Sequence, residues 1–245
     1  MKILVIPDVH LKPWIFDRAH ELLEKDIADN TVDDIADNAV FLGDIPDDFH
    51  KQENIKLYEE TFDAAIRFSK NHPTAYWCYG NHDVCYLWDY RESGYSKTAA
   101  TTVTTKLKEL YKTIHQSHLG YVHVIDNVLF CHGGLTDSFV KFNTSSKIYN
   151  KPQEVAHRIN NLEYPVEVMW QDYSPIWYRP QYFSSRLYKP RKLLQVVGHT
   201  PVQKLTKDKN ILSCDTFSTH EDGTPYGNQE FCLIDTETWN FIGVR

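Results

Sequence analysis

Apolar runs in this chain repeatedly stop at a residue able to bind a metal or move a proton. "LVIP" leads into Asp8 and His10, "VFLG" into Asp44, and "YWCYG" into Asn81 and His82. "VLFC" stops at His132 and "LQVVG" at His199. A lone histidine after a strand is ordinarily a capped or solvent-facing residue. Five run ends that all deliver carboxylate, amide or imidazole form a different kind of pattern. In parallel α/β sheets, ligands bind beyond the carboxyl ends of the strands, so these side chains converge if their sheets meet at one edge.

The donor types narrow the chemistry. Residues two apart in extended chain point the same way, so Asp8 and His10 can share one ion. Glycine precedes Asp44, Asn81 and His199 and follows His132, which permits tight turns and close backbone approach. Carboxylate, amide oxygen and imidazole together suit manganese, iron or zinc. An all-oxygen magnesium or calcium cage has no need of so many histidines. The stretch "FLGDIPDDFH" (41–50) crowds Asp44, Asp47 and Asp48 together, and such carboxylates repel unless positive charge lies among them.

The elements that must position these residues are legible as a pattern. "KILVI", "NAVFLGD" and "TAYWCYGNHD" read as buried strands, with helical spacing from about Ile15 to Ala28 and over 53–70 between them. That alternation predicts a parallel sheet with crossover helices. After residue 94 the texture changes. A threonine-weakened helix late in 97–114 is followed by two strands, "GYVHVID" and "NVLFCHGGL", about a tight turn. Helical patches at 136–142 and 152–162 precede an aromatic, proline-punctuated segment, and "LLQVVGHT", "NILSCDTF", "EFCLID" and "WNFIGV" complete the chain as strands. "DIADN" at 26–30 and 34–38 reads as solvated acidic turn, since two copies make no solenoid and no central glycine marks a calcium loop.

The whole chain sets bounds. Its 245 residues, 42% hydrophobic and 13% aromatic, can bury a sizeable core and exclude global disorder. A net charge of -7 argues against gripping nucleic acid by bulk electrostatics, although a local basic groove remains compatible. The five cysteines form no CxxC pair and read as buried thiols. The opening apolar run is too short for a secretory core and no stretch reaches a membrane span, so a soluble, cytoplasmic protein is expected.

"DVH" (8–10), "GDIPD" (43–47), "GNHD" (80–83), "HGG" (132–134) and "GHT" (198–200) resemble, in order, the motifs of the calcineurin-like metallophosphoesterases. The resemblance is nearest to the bacterial and phage phosphoprotein phosphatases and the dinucleoside polyphosphate hydrolases. It implies one domain over 1–245, a four-layer αββα sandwich of two mixed sheets with a dinuclear metal site at the strand ends. It implies Asp44 bridging two divalent ions, most simply Mn2+, with Fe or Zn as alternates. Asp8 and His10 would complete the first site, and Asn81, His132 and His199 the second. His82 would act as general acid, oriented by Asp47, while a metal-bridging hydroxide attacks phosphorus. Asp48 and Asp83 read as turn or helix-cap residues, and Asp215 as a turn residue.

Departures from the family pattern bear on the substrate. Pro201 stands where many phosphodiesterases of the family carry a second histidine, and Asp48 stands where the phosphoprotein phosphatases carry arginine. A replacement cation is sought in the cap-like segment at about 164–192, where "IWYR" resembles a tryptophan-x-arginine element and singles out Arg179 for phosphate binding. Aromatics interleaved with basic residues there also suit a nucleobase, or simply packing on the core. The leading expectation is hydrolysis of phosphate monoesters, on a phosphoprotein or a small metabolite. The alternatives are a nucleotide anhydride hydrolase of the diadenosine tetraphosphate type, a phosphodiesterase or nuclease, and a metal-binding scaffold without catalysis.

Overall fold

The chain is described by a computed structural model at all residues except 25–35, 184 and 190. The strands are β1 (Lys2–Ile6), β2 (Asn38–Phe41), β3 (Tyr76–Cys78), β4 (Leu119–Gly120), β5 (Val122–Ile125), β6 (Val128–Cys131), β7 (Leu194–Val197), β8 (Thr206–Asp208), β9 (Ile211–Ser213), β10 (Phe231–Asp235) and β11 (Phe241–Val244). They form a six-stranded sheet in the order β11-β10-β1-β2-β3-β4 and a five-stranded sheet in the order β5-β6-β7-β9-β8. Both are mixed. β1 to β4 run parallel, as do β6, β7 and β9, while the edges add antiparallel strands.

Side-chain alternation dictates the layering. Ile3 and Val5 of β1 face one way and pack with Val40, Phe130, Val196 and Leu212 between the sheets. Leu4 and Ile6 face the other way, against helices α1 (Trp14–Glu24), α2 (Ile55–Asn71) and α4 (Ala100–Thr113). The second sheet turns Leu129, Cys131 and Val197 outward onto α5 (Asp137–Asn143), α6 (Pro152–Asn160) and α7 (Pro165–Met169). Both faces of both sheets are therefore apolar, which is why the strands read as unbroken hydrophobic runs. The short α3 (Asn81–Trp88) starts directly at the end of the β3 turn.

The structure corrects several expectations. "GYVHVID" is not one strand: the chain kinks at Tyr121, so β4 joins one sheet and β5 the other. Asn160 makes the kink possible. Its Oδ1 accepts from the amides of Tyr121 (2.8 Å) and Val122 (3.0 Å), and its Nδ2 donates to the Val122 carbonyl (2.8 Å). The strands β4 and β8, and the helices α3 and α7, carry too few residues for a periodicity to register. The helix expected to reach Ala28 is described to Glu24, and most of the "DIADN" pair lies outside the described residues. All five cysteines are buried and free. No helix among the described residues is long and apolar enough to cross a membrane.

Candidate active site

The parallel strands of both sheets end at one edge. β1, β2 and β3 deliver Asp8, Asp44 and Asn81 just past their last residues, and β6 and β7 deliver His132 and His199 from the facing sheet. The connecting backbone is unusual. His10, Asp44, Asp47 and His199 have φ of 44°, 59°, 67° and 61°, in the left-handed region that disfavours side chains. Strong local bonding holds these turns. The Asp83 carboxylate accepts from the amides of Asp44, Ile45 and Gly80, each at 2.9 Å, while Val9 and His10 donate to the Asp44 carbonyl at 2.9 and 3.0 Å. Gly43 (φ 110°) and Gly80 meet backbone to backbone, since a Cβ on Gly43 would fall 2.5 Å from Gly80 N. Asp83 is thus the helix-cap residue expected from sequence, and it also fastens two strand-end loops together.

Two ligand clusters share Asp44. In one, Asp44, His132 and His199 bring single ligand atoms within 4.8 Å of one another; in the other, Asp8, His10 and Asp44 do the same. The hydrogen bonds fix which atoms face inward. His132 Nδ1 donates to the Leu42 carbonyl (3.0 Å), so Nε2 is the ring atom that faces the cluster. That Nε2 faces Asn81 Oδ1 at 2.9 Å, His199 Nδ1 at 3.0 Å and Asp44 Oδ2 at 3.1 Å. His10 Nδ1 likewise donates to the Asp47 carbonyl (2.9 Å), leaving Nε2 toward Asp44 Oδ2 at 3.9 Å. Acceptors gathered this closely need a positive centre among them. Asp8 Oδ2 and His199 Nε2 are buried without any hydrogen-bond partner. The residues present therefore fit two divalent cations.

The charges show the same demand. Burial raises the Asp8 carboxyl well above the usual range, and Asp215 adds to the rise. Burial also pushes His10 and His199 below the ordinary histidine value, against the attraction of Asp44. At Asp44 burial acts upward, but His132 and His82 outweigh it and hold the carboxyl low.

His82 stands beside the clusters, its amide donating to Asp44 Oδ1 at 2.9 Å. Its Nδ1 lies 2.9 Å from Asp47 Oδ2, and the other Asp47 oxygen accepts from Tyr58 (2.9 Å) and Tyr86 (2.5 Å). Burial works against the His82 imidazolium, but Asp44 and Asp47 overcome it and raise the pKa to about 9. Neither tyrosine stood out in the sequence, because Tyr58 lies on an ordinary amphipathic helix, Tyr86 on a helix too short to show a periodicity, and both meet Asp47 only in three dimensions. Gly94 passes over the pair, and a Cβ there would touch both Asp47 Cβ and His82 Cε1 at 3.5 Å.

His10, Asp44, Asp47, His82 and His199 floor an open cavity of about 250 Å³ whose rim includes Phe49, Ser93, Gly94 and Pro201. Arg179 faces it, anchored by Nη1 to the His199 carbonyl and to Thr200 Oγ1 (3.1 Å). The stretch carrying Arg179 is bonded to the loop after His132, through Gly133 to the Pro175 carbonyl and Gly134 to the Tyr178 carbonyl (2.8 Å). Asp48 engages Thr219 (2.6 Å), the Phe49 amide (2.9 Å) and Lys12 (3.7 Å). Lys12, overlooked in the sequence, is nearly buried under His10 and donates to its carbonyl (3.0 Å). Asp215 holds its turn as expected, accepting from the Ser218 amide (3.1 Å) and hydroxyl (2.8 Å). It is also a buried acid two residues beyond β9, the same placement Asp8 has after β1, and that placement is the signal that marks it in the sequence.

Comparison with known proteins agrees with this geometry. Residues 1–223 match the family model for calcineurin-like phosphoesterases. No curated protein matches the chain. Among solved structures, the cold-active protein-tyrosine phosphatase of a psychrophilic Shewanella superposes with a TM-score of 0.58 at 15% identity, over 100% of this chain and 80% of that one. A further cold-active protein tyrosine phosphatase structure gives 0.55 at 18% identity, over 100% and 78%. At such identities the likeness is one of fold.

Proposed function

The chain belongs to the calcineurin-like phosphoesterase family, and from that premise we propose that it hydrolyses phosphate monoesters through His82, Asp47, Arg179 and a dinuclear centre of Asp8, His10, Asp44, Asn81, His132 and His199. The observation that carries the reading is Asp44, shared by both ligand clusters, with His82 beside it on the cavity floor. Manganese suits this oxygen and imidazole set best, with iron or zinc as alternates. When bound, the two cations supply an acidified water and neutralise charge on the phosphoryl oxygens.

The chain's own residues do the rest. Arg179 offers a guanidinium to the phosphoryl group, and its anchoring bonds to His199 and Thr200 keep it aimed at the cavity. Asp47 binds Nδ1 of His82 and favours the imidazolium, which leaves the Nε2 proton for the departing alkoxide. Tyr58 and Tyr86 hold the second Asp47 oxygen, so the carboxylate cannot swing away. Pro201 at the rim supplies no further imidazole, in keeping with a phosphatase rather than a phosphodiesterase. The structural neighbours named protein-tyrosine phosphatases place an aryl phosphate among the substrates to try.

A second reading, hydrolysis of a nucleotide anhydride, draws on the exposed rings of Tyr182 and Phe183 close along the chain to Arg179. The deciding experiment measures initial rates of the manganese-loaded protein on p-nitrophenyl phosphate, its bis ester and diadenosine tetraphosphate, with His82→Ala as control. Monoester turnover that falls roughly 100- to 10,000-fold in the variant, at unchanged metal content, supports the phosphatase. Preferential cleavage of the diester or the anhydride overturns it.

A further inference from the structure

At the opposite end of the first sheet, a second group of metal-ligating side chains lies on the outer helices. His20 and Glu24 are four residues apart on α1 and so share one face of it. His72 caps the C-terminus of α2, its amide bonded to the Phe68 carbonyl at 2.9 Å. One ligand atom from each of His20, Glu24 and His72 falls within 4.8 Å of the others. His20 Nδ1 and His72 Nε2 are 2.8 Å apart. The His72 ring packs on the buried Phe68 ring at 4.6 Å between centroids, so core packing fixes its direction.

The placement separates this group from the catalytic edge. His72 precedes the start of β3 by four residues, whereas Asn81 follows its end. The two groups therefore occupy opposite ends of the sheet, roughly a strand length apart. None of the three lines the active-site cavity.

We propose that His20, Glu24 and His72 form a separate binding site for a single borderline divalent ion, zinc above all, linking α1 to the α2–β3 connection. Two imidazoles and a carboxylate are a zinc set, with the fourth position left to water because Glu24 is solvent-exposed. Nitrogens bound tetrahedrally to zinc stand roughly 3.3 Å apart, so small side-chain rotations from the present 2.8 Å suffice. Magnesium and calcium prefer all-oxygen shells and are excluded by the same donors. The alternative is a histidine pair that merely satisfies itself by sharing one N–H between the two rings.

Zinc content distinguishes the two. The whole protein is equilibrated with buffered zinc(II), and bound zinc is counted by elemental analysis for wild type, His72→Gln, His20→Gln and Glu24→Gln. The proposal expects each histidine variant to hold one zinc fewer per chain than wild type, whatever the catalytic centre retains. Glu24→Gln, at an exposed helix end and safe for folding, should bind that zinc at least tenfold more weakly. Rates on p-nitrophenyl phosphate with manganese should be equal in all four proteins. Equal zinc content in wild type and the histidine variants overturns the site, and unchanged affinity in Glu24→Gln overturns the three-ligand assignment. Neither readout depends on which phosphoester the catalytic centre cleaves.

Discussion

Asp47 touches His82 with one oxygen and two tyrosines with the other, so it acts on the reaction through the imidazole it orients. Asp47→Asn removes the charge and keeps the shape. The loss should reach some part of the about 100- to 10,000-fold that a general acid contributes, and should fall on kcat with KM little changed. A matching rise in KM would mean that Asp47 binds substrate instead. Asp83 has a different task. Asp83→Ala would leave three buried amides without an acceptor, at about 1–3 kcal/mol each, while removing a carboxyl whose pKa burial, and after it the repulsion from Asp44, raise to about 7. In the metal-loaded protein the neighbouring cations would offset this charge penalty, so the amides should win. A destabilisation of about 3 kcal/mol or more in urea is expected, and a loss under about 1 kcal/mol would contradict it. The metal-cluster residues and His82 were legible because each follows an apolar run and matches a short motif. Tyr58, Tyr86 and the full role of Asp83 were not, because a bond between residues tens of positions apart leaves no mark on local spacing.

At the scale of elements, the strands that carry the site are the ones the sequence displays, since strands buried on both faces read as unbroken apolar runs. The β4–β5 kink depends on one distant side chain, Asn160, which no periodicity announces, and the short β4 and β8 carry too few residues to show one. A second cross-connection has a measurable consequence. His123 of β5 lies 3.0 Å through Nε2 from the Trp77 carbonyl of β3, tying the edge strand of the second sheet to the last strand but one of the first. Burial lowers its pKa to about 4, the nearby His118 adds to the drop, and the bond to Trp77 opposes it. The unfolded chain takes up this proton near pH 6.5, above the folded value, so the unfolded state binds more protons in between. The contribution of neutral His123 is complete above pH 6.5 and is lost as pH falls from there toward about 4. The total is about 3 kcal/mol, from roughly two and a half pKa units at 1.36 kcal/mol each. His123→Gln keeps a donor for Trp77 and cannot titrate. Its urea-unfolding free energy should decline less steeply than that of wild type across this window, and parallel curves would refute the assignment.

For the molecule as a whole, the ligand clusters join the two sheets. Asp8, Asp44 and Asn81 come from the ends of one, His132 and His199 from the ends of the other, and both clusters use Asp44. Between the sheets lies an apolar layer, but at this edge the contact is a crowd of buried acceptors with Asp8 Oδ2 and His199 Nε2 unpaired. Without cations that edge is a source of repulsion and unmet hydrogen bonding; cations bound there would make it a cross-link. A ligand present at 1,000 times its Kd stabilises the state it binds by about 4 kcal/mol. For a chain of this length each kcal/mol is worth about 2–4 °C, so losing even one of the two ions to a chelator should lower Tm by about 8–16 °C, and losing both by more. Restoring manganese should restore it. Asp44→Asn weakens both sites at once, so its Tm should respond to chelation far less than that of Asp8→Asn, which disturbs one site. If chelation leaves wild-type Tm unmoved, or if Asp8→Asn and Asp44→Asn respond alike, Asp44 is not the bridge between the sheets.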